Sequence, residues 1–261
     1  MNRPPAIPPR PPVLPLRCDV VVVSVPLDPS AATVADLERL LAADERARAA
    51  RLVPMVRQRF IVGRGQLRRL LGRVVDDRPE ALAFTFGPRG KPSLGGSHAG
   101  RCQFNVSHSG DLALVALAAD FPLGIDLEHV AAGQTPAWAD MMADTVLATD
   151  ERAAFRLLAE PLRPPALLEA WVAKEAVLKA SGEGIAAGMR RLVLPTPLPR
   201  TFLATDAAPR EASLTAVTGG PPGGWATCLL ETDAGGFAAL ACPVASCSVA
   251  LVSLARFGLG N

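Results

Sequence analysis

The stretch Trp171-Val-Ala-Lys-Glu-Ala-Val-Leu-Lys179 most constrains what this chain can become, because it sets an aromatic, an acid and two bases on one short helix. Trp171, Glu175 and Lys179 stand at i, i+4 and i+8, so a period of 3.6 residues lines them along one side. An acidic pair lies upstream in Gly124-Ile-Asp-Leu-Glu128. In a strand, residues two apart share a face, so Asp126 and Glu128 converge while Ile125 and Leu127 turn to a core. Convergent carboxylates repel each other unless a cation or a base lies between them. Bringing this strand to that helix would gather three carboxylates with Lys174 and Lys179. Such a set suits magnesium, which takes oxygen ligands and completes its shell with water and substrate phosphates. Each motif alone has a plainer alternative. Asp126 and Glu128 would fit an exposed strand face, and Glu175 with Lys179 a helix ion pair worth about 0.2–0.5 kcal/mol. That ion pair leaves Lys174 and the upstream acids unexplained.

Composition narrows the class. Of 261 residues, 49% are apolar and 20% charged, which predicts a globular chain of one large domain or two small ones. A net charge of +2 argues against a general nucleic-acid binder. The charge is uneven, however: nine arginines and no acid fall between Arg46 and Arg73, which points to a local anion site. Five cysteines, with no CxxC pair and no leader-like opening segment, read as reduced thiols in the cytoplasm. The uncharged run Gly235 to Ala255 contains Pro243 and three serines, so two strands meeting near Cys242-Pro243 fit it better than a membrane helix.

Seven prolines among the first sixteen residues predict a flexible extended tail over 1–16. Folding is expected to begin near Arg17 with a valine-rich strand over Cys18–Val25. Helices are predicted over Thr33–Leu41, Asp44–Arg51 and Arg57–Leu71, the last ending at Gly72, with its arginines mostly solvated. Gly87-Pro-Arg-Gly-Lys91-Pro is turn chemistry. Strands are expected over Phe104–His108 and Leu112–Ala118, joined through Ser109-Gly110-Asp111, and another over Pro122–Glu128. Helices follow around Asp140–Leu147, Asp150–Leu158 and Leu167–Ala180, then strands and turns beyond Arg190.

Ser107, His108 and Ser109 precede a glycine turn, where hydroxyls, imidazole and backbone amides could take phosphate oxygens. On its own, a histidine at position 108 is more often a structural turn residue. Several look-alikes fail. Gly87 to Lys91 is too short for a P-loop, and Gly182-Glu-Gly-Ile-Ala-Ala187 follows a helix where a dinucleotide fingerprint needs a strand. The three histidines lack zinc spacing.

These motifs occur in a fixed order: Arg59-Phe60 leading into Leu67-Arg-Arg-Leu-Leu71, Gly87-x-x-Gly-Lys91-Pro, Phe104-Asn-x-Ser-His-Ser-Gly110, Gly124-Ile-Asp-x-Glu128, Trp171-x-x-Lys-Glu-x-x-x-Lys179 and Gly182-Glu-Gly184. From about Asp44 to Leu194 the set resembles the 4′-phosphopantetheinyl transferases of the surfactin-activating (Sfp-like) type. The resemblance implies an α+β fold of two similar α/β halves, 17–120 and 121–261, in pseudo-twofold arrangement with the active site in the cleft between them. It implies transfer of 4′-phosphopantetheine from coenzyme A to a serine of an apo acyl or peptidyl carrier protein, leaving adenosine 3′,5′-bisphosphate. The first half would bind coenzyme A; the second would carry the magnesium site and meet the carrier. By position, Asp126, Glu128 and Glu175 match the family's magnesium ligands, with manganese as a substitute ion. Lys174 and Lys179 would face the pyrophosphate, and Lys91, Ser107 and His108 the nucleotide end of coenzyme A. Arg59 matches the arginine at the 3′-phosphate, and Arg48 and Arg51 are softer matches near it.

Glu175 is the expected base for the carrier serine, directly or through water. Two other classes use similar residues: a magnesium-dependent phosphodiesterase, and a carrier-binding module without catalysis. A monomer that binds neither membrane nor nucleic acid is expected. The carrier's pathway, whether fatty-acid, polyketide or nonribosomal peptide, is not encoded in these motifs.

Overall fold

The valines of Val20–Val25 divide their side chains between two cores, as an extended strand must. Val21, Val23 and Val25 enter one hydrophobic cluster and Val20 and Val22 a second. In this computed structural model, which describes residues 17–131, 133–184, 188–233 and 235–259, that strand lies near the centre of the molecule. The proline-rich segment 1–16 and the end of the Gly182–Ala187 motif lie outside the described residues.

The strands are β1 (Val20–Pro26), β2 (Phe84–Phe86), β3 (Pro92–Leu94), β4 (Gln103–Ser109), β5 (Leu112–Ala118), β6 (Gly124–Glu128), β7 (Arg200–Leu203), β8 (Arg210–Ser213), β9 (Thr215–Ala216), β10 (Ala226–Thr232), β11 (Phe237–Cys242) and β12 (Ser246–Ser253). The helices are α1 (Ala31–Arg39), α2 (Ala43–Ala49), α3 (Pro54–Val75), α4 (Pro136–Val146), α5 (Thr149–Arg156) and α6 (Arg163–Ser181). One sheet has the order β4-β5-β1-β12-β8 and the other β6-β11-β10-β7, while β2 and β3 form a separate hairpin. β1 runs parallel to β12 with Val20 opposite Val249, so the end of the chain completes the sheet begun at its start.

Three cores stack between four layers. α3 packs on the outer face of the first sheet through Ile61, Leu67, Leu70 and Leu71. The inner faces of both sheets close on each other around Leu114, Ala116, Ile125, Leu127, Leu230 and Leu240. α6 covers the outer face of the second sheet, where Val172, Ala176 and Val177 meet Leu229, Ala239 and Ala241. The expected α+β class with two sheet-bearing halves is what the structure shows. Among the described residues no helix is long and apolar enough to cross a membrane, and Gly235–Ala255 forms β11 and β12 with their connection after Cys242.

Two expectations about α3 are corrected. The helix runs past Gly72 to Val75 and stops at Asp76, whose φ of 57° is left-handed. Gly72 serves packing instead of capping, because a Cβ there would lie 2.7 Å from the Asp77 carbonyl oxygen. Its arginines are not all solvated either. Arg68 is buried, donating from Nε to Glu45 Oε2 at 2.7 Å and from NH1 to the carbonyls of Pro79 and Leu82. Arg64 is held in the same node, 3.5 Å from Glu45 and over the Phe84 ring.

Candidate active site

The site begins with a close approach of two backbones. At Gly124 the start of β6 crosses α6 so tightly that a Cβ would stand 2.0 Å from the Ala176 carbonyl oxygen and 2.4 Å from the Ala180 nitrogen. Only glycine fits, and the contact sets the strand's acids against the helix's Glu175 and Lys179. Lys179 Nζ donates to Asp126 Oδ1 at 2.5 Å and to Ser107 Oγ at 2.9 Å. Ser107 Oγ in turn donates to Asp126 Oδ1 at 2.8 Å, and Ser109 Oγ donates to Glu128 Oε2 at 3.1 Å.

Charge is not balanced here. Glu175 is buried and has no hydrogen-bond partner among the described residues. Burial pushes its carboxyl up to about 7, reinforced by the Asp126 charge and by Glu128 and opposed by Lys179. Glu128 is also raised, chiefly by burial and further by Asp126, against the Ser109 hydrogen bond and the charges of Lys179 and His108. Asp126 Oδ2 is a buried acceptor with nothing to accept, a costly condition for an ionised oxygen. One lysine thus stands against three mutually repelling carboxylates.

Those residues fit a hard divalent cation, which takes carboxylate oxygens and would satisfy the orphaned Oδ2. The described residues hold no group of three His, Cys, Asp or Glu side chains already drawn into a cage. The unpartnered Asp126 Oδ2 and the mutual repulsion of the three carboxylates are the features that a cation would relieve.

The remaining candidates fall into different places. Lys174 departs from expectation: it is fully buried, its Nζ donating to the Val146 carbonyl at 2.9 Å and paired with Glu151. One step along a helix turns a side chain by about 100°, so Lys174 faces α4 and α5 while Glu175 faces the acids. Ser107 also differs. Its hydroxyl gives its single proton to Asp126 and accepts from the Leu127 N–H as well as Lys179, leaving no proton for a nucleotide. Lys91 Nζ donates to the carbonyls of Ala180 at 2.7 Å and Leu123 at 3.2 Å, tying the β2–β3 turn to the end of α6 and the entry to β6. Burial brings that ammonium down to about 8. Beside it lies a cavity of about 300 Å³ whose lining includes Gly87, Pro88, Phe104, Ser181 and Gly182.

His108 is exposed on β4 and close enough to influence Glu128. Arg59, on α3, pairs with Asp111 in the β4–β5 turn next to the acids. Arg48 stacks over Phe60 with 5.1 Å from its guanidinium to the ring centre, and Arg51 is exposed. The structure therefore gathers Asp126, Glu128, Glu175, Lys179, Ser107 and His108, ranges the arginines along α2 and α3, and sends Lys174 elsewhere. Sequence reasoning missed the structural parts played by Asn105 and Ser109. Their signal was the alternation of Asn105, Ser107 and Ser109 on one strand face.

Residues 122–227, which carry both β6 and α6, match the model of the 4′-phosphopantetheinyl transferase superfamily. The chain is also 38% identical over 181 residues to the 4′-phosphopantetheinyl transferase HetI of Nostoc sp., an overlap covering 68% of this chain and 75% of that protein. The chain belongs to the 4′-phosphopantetheinyl transferase superfamily. The Synechocystis sp. protein slr0495, named provisionally for the same activity, is 36% identical over 157 residues, covering 60% of this chain and 63% of its own length. The reaction of this superfamily is transfer of phosphopantetheine from coenzyme A to a carrier protein, and the acids and lysine on β6 and α6 lie within the matched segment.

Proposed function

We propose that this chain is a magnesium-dependent transferase of the surfactin-activating type, with Asp126, Glu128 and Glu175 as the ion's ligands. The carrying observation is the buried, unpartnered Asp126 Oδ2 beside a Glu175 carboxyl raised to about 7. Magnesium held there would neutralise charge on the coenzyme A pyrophosphate, and manganese has the same oxygen preference.

The chain's own groups do the rest. Lys179, held by Asp126 and Ser107, presents fixed positive charge towards the pyrophosphate as negative charge builds on the leaving group. Glu175 takes the proton of the carrier serine hydroxyl, directly or through one water. The serine oxygen then bonds to phosphorus, and the phosphoanhydride bond breaks. Its electron pair leaves with adenosine 3′,5′-bisphosphate. The half spanning 17–120 binds coenzyme A: the cavity beside Lys91, closed on its other side by Ser181 and Gly182, takes the nucleotide end, with His108 at its phosphates. Arg59, flanked by Arg48 and Arg51, takes the 3′-phosphate. The half spanning 121–261 presents the acids to an acyl or peptidyl carrier protein. A single chain supplies both sheets of the cleft, which supports a monomer, and its five free thiols support a cytoplasmic setting.

Glu175→Gln tests the reading. Loss of a general base lowers turnover by about a hundredfold or more, far more than it weakens coenzyme A binding. Wild-type turnover in the variant would remove Glu175 from the role.

A further inference from the structure

β6 borders its sheet. One side pairs with β11, Asp126 opposite Ala239 and Glu128 opposite Phe237, and the other would be an open edge of unpaired N–H groups. That edge is closed by side chains. Ile125 N–H donates to Asn105 Oδ1 at 2.9 Å, Leu127 N–H to Ser107 Oγ at 3.2 Å and His129 N–H to Ser109 Oγ at 3.0 Å. Each donor follows its acceptor by a constant 20 positions, so β4 and β6 run parallel and the rungs keep the two-residue period of both strands. β4 is itself the border strand of the other sheet. The two sheets are thus stitched edge to edge through side chains.

The choice of rung follows what precedes each donor on β6. Ahead of Leu127 and His129 stand Asp126 and Glu128, and there the acceptor is a hydroxyl with a proton of its own to give. Ser107 gives it to Asp126 Oδ1 and Ser109 to Glu128 Oε2, at 2.8 and 3.1 Å. Ahead of Ile125 stands Gly124, with no side chain to serve, and there the acceptor is the amide oxygen of Asn105. Edge closure alone needs only an acceptor. The hydroxyls add a hold on each carboxylate.

We propose that Ser109 is a positioning residue for the metal site: tied to the His129 N–H, it fixes one oxygen of Glu128. The other oxygen, Oε1, accepts no hydrogen bond among the described residues and stays free to bind a cation. The inference rests on the reading of Asp126, Glu128 and Glu175 as the ion's ligands.

Ser109→Thr and Ser109→Val form the deciding pair, because they share a shape and differ in the hydroxyl. Manganese(II) would be titrated into each full-length variant with saturating coenzyme A and no carrier, reading free ion by its magnetic resonance. Urea unfolding and coenzyme A affinity would be measured alongside. Threonine is expected to bind manganese within about threefold of wild type and valine about tenfold more weakly, with coenzyme A affinity unchanged, the size seen when a partner of a metal ligand is removed. Equal manganese affinity in the two variants would overturn the proposal, whatever their stabilities. No manganese binding by the wild-type protein would instead overturn the ligand assignment on which it rests. Should valine impair folding, Ser109→Ala replaces it in the comparison, with the same expected loss and the same refuting result.

Discussion

Gly124→Ala should be among the most damaging glycine substitutions in this protein. The added Cβ would sit 2.0 Å from the Ala176 carbonyl oxygen, 2.4 Å from the Ala180 nitrogen and 3.0 Å from the Ala180 Cα. Ordinary contact begins near 3.4 Å, so the shortfall is about 1.4 Å. All three obstacles are backbone atoms inside α6, and a rotamer change relieves none of them. Overpacking of this kind costs about 1–3 kcal/mol where side chains yield, and here the upper end is expected. The strand and helix must part, which moves Asp126 away from Glu175 and Lys179. Misplacement of reacting groups by about 1 Å lowers turnover about a hundredfold. Urea unfolding and carrier modification on the same preparation read both effects. Gly63→Ala on α3 is the control, because its Cβ would meet only Leu27 Cδ2 at 3.7 Å, and alanine gains up to about 1 kcal/mol over glycine in a helix. A Gly124→Ala protein within about 1 kcal/mol of wild type and within about threefold in turnover would refute the close-approach argument.

Other consequences follow from the same contacts. Lys174→Met leaves Glu151 charged and under-partnered, so stability should fall by about 3–5 kcal/mol; lost turnover at unchanged stability would return Lys174 to the active site. Asp111→Asn frees Arg59 from an exposed pair, so coenzyme A should bind up to about fivefold more tightly, with the 3′-dephospho analogue unaffected; equal gains for both would remove Arg59 from the 3′-phosphate. For Lys91 the folded value of about 8 lies below the ordinary 10.5. Between those limits the unfolded chain binds more protons, so stability rises with pH. The burial penalty is therefore full below pH 8 and relieved by 10.5. Relative to Lys91→Met, the wild-type unfolding free energy should increase across that window; parallel curves would contradict the burial of the amine.

Sequence periodicity made the acids legible. Asp126 and Glu128 lie two apart on a strand, Glu175 and Lys179 four apart on a helix, and both spacings carry directly into the contacts seen. Resemblance misplaced Lys174, because neighbours on a helix point about 100° apart and its target, Glu151, lies 23 residues upstream on another helix. The burial of Arg68 was hidden in the same way: its partner Glu45 belongs to α2 and its stacking ring, Phe84, to β2. Gly72 looked like a helix stop, but it answers to a chain reversal at Asp77 that only the folded backbone creates. The alternation of Asn105, Ser107 and Ser109 was visible in the sequence. Its meaning was not, because the strand it stitches lies 20 residues further on and in the other sheet.

The most direct test is the intact mass of an apo carrier protein incubated with this protein, coenzyme A and magnesium, with wild type and Asp126→Asn in parallel. The account predicts that wild type adds one phosphopantetheine, that a chelator abolishes the gain, and that Asp126→Asn is severely slowed. Modification at full rate in the presence of chelator, or by Asp126→Asn, would contradict the assignment of these carboxylates to a metal-dependent transfer.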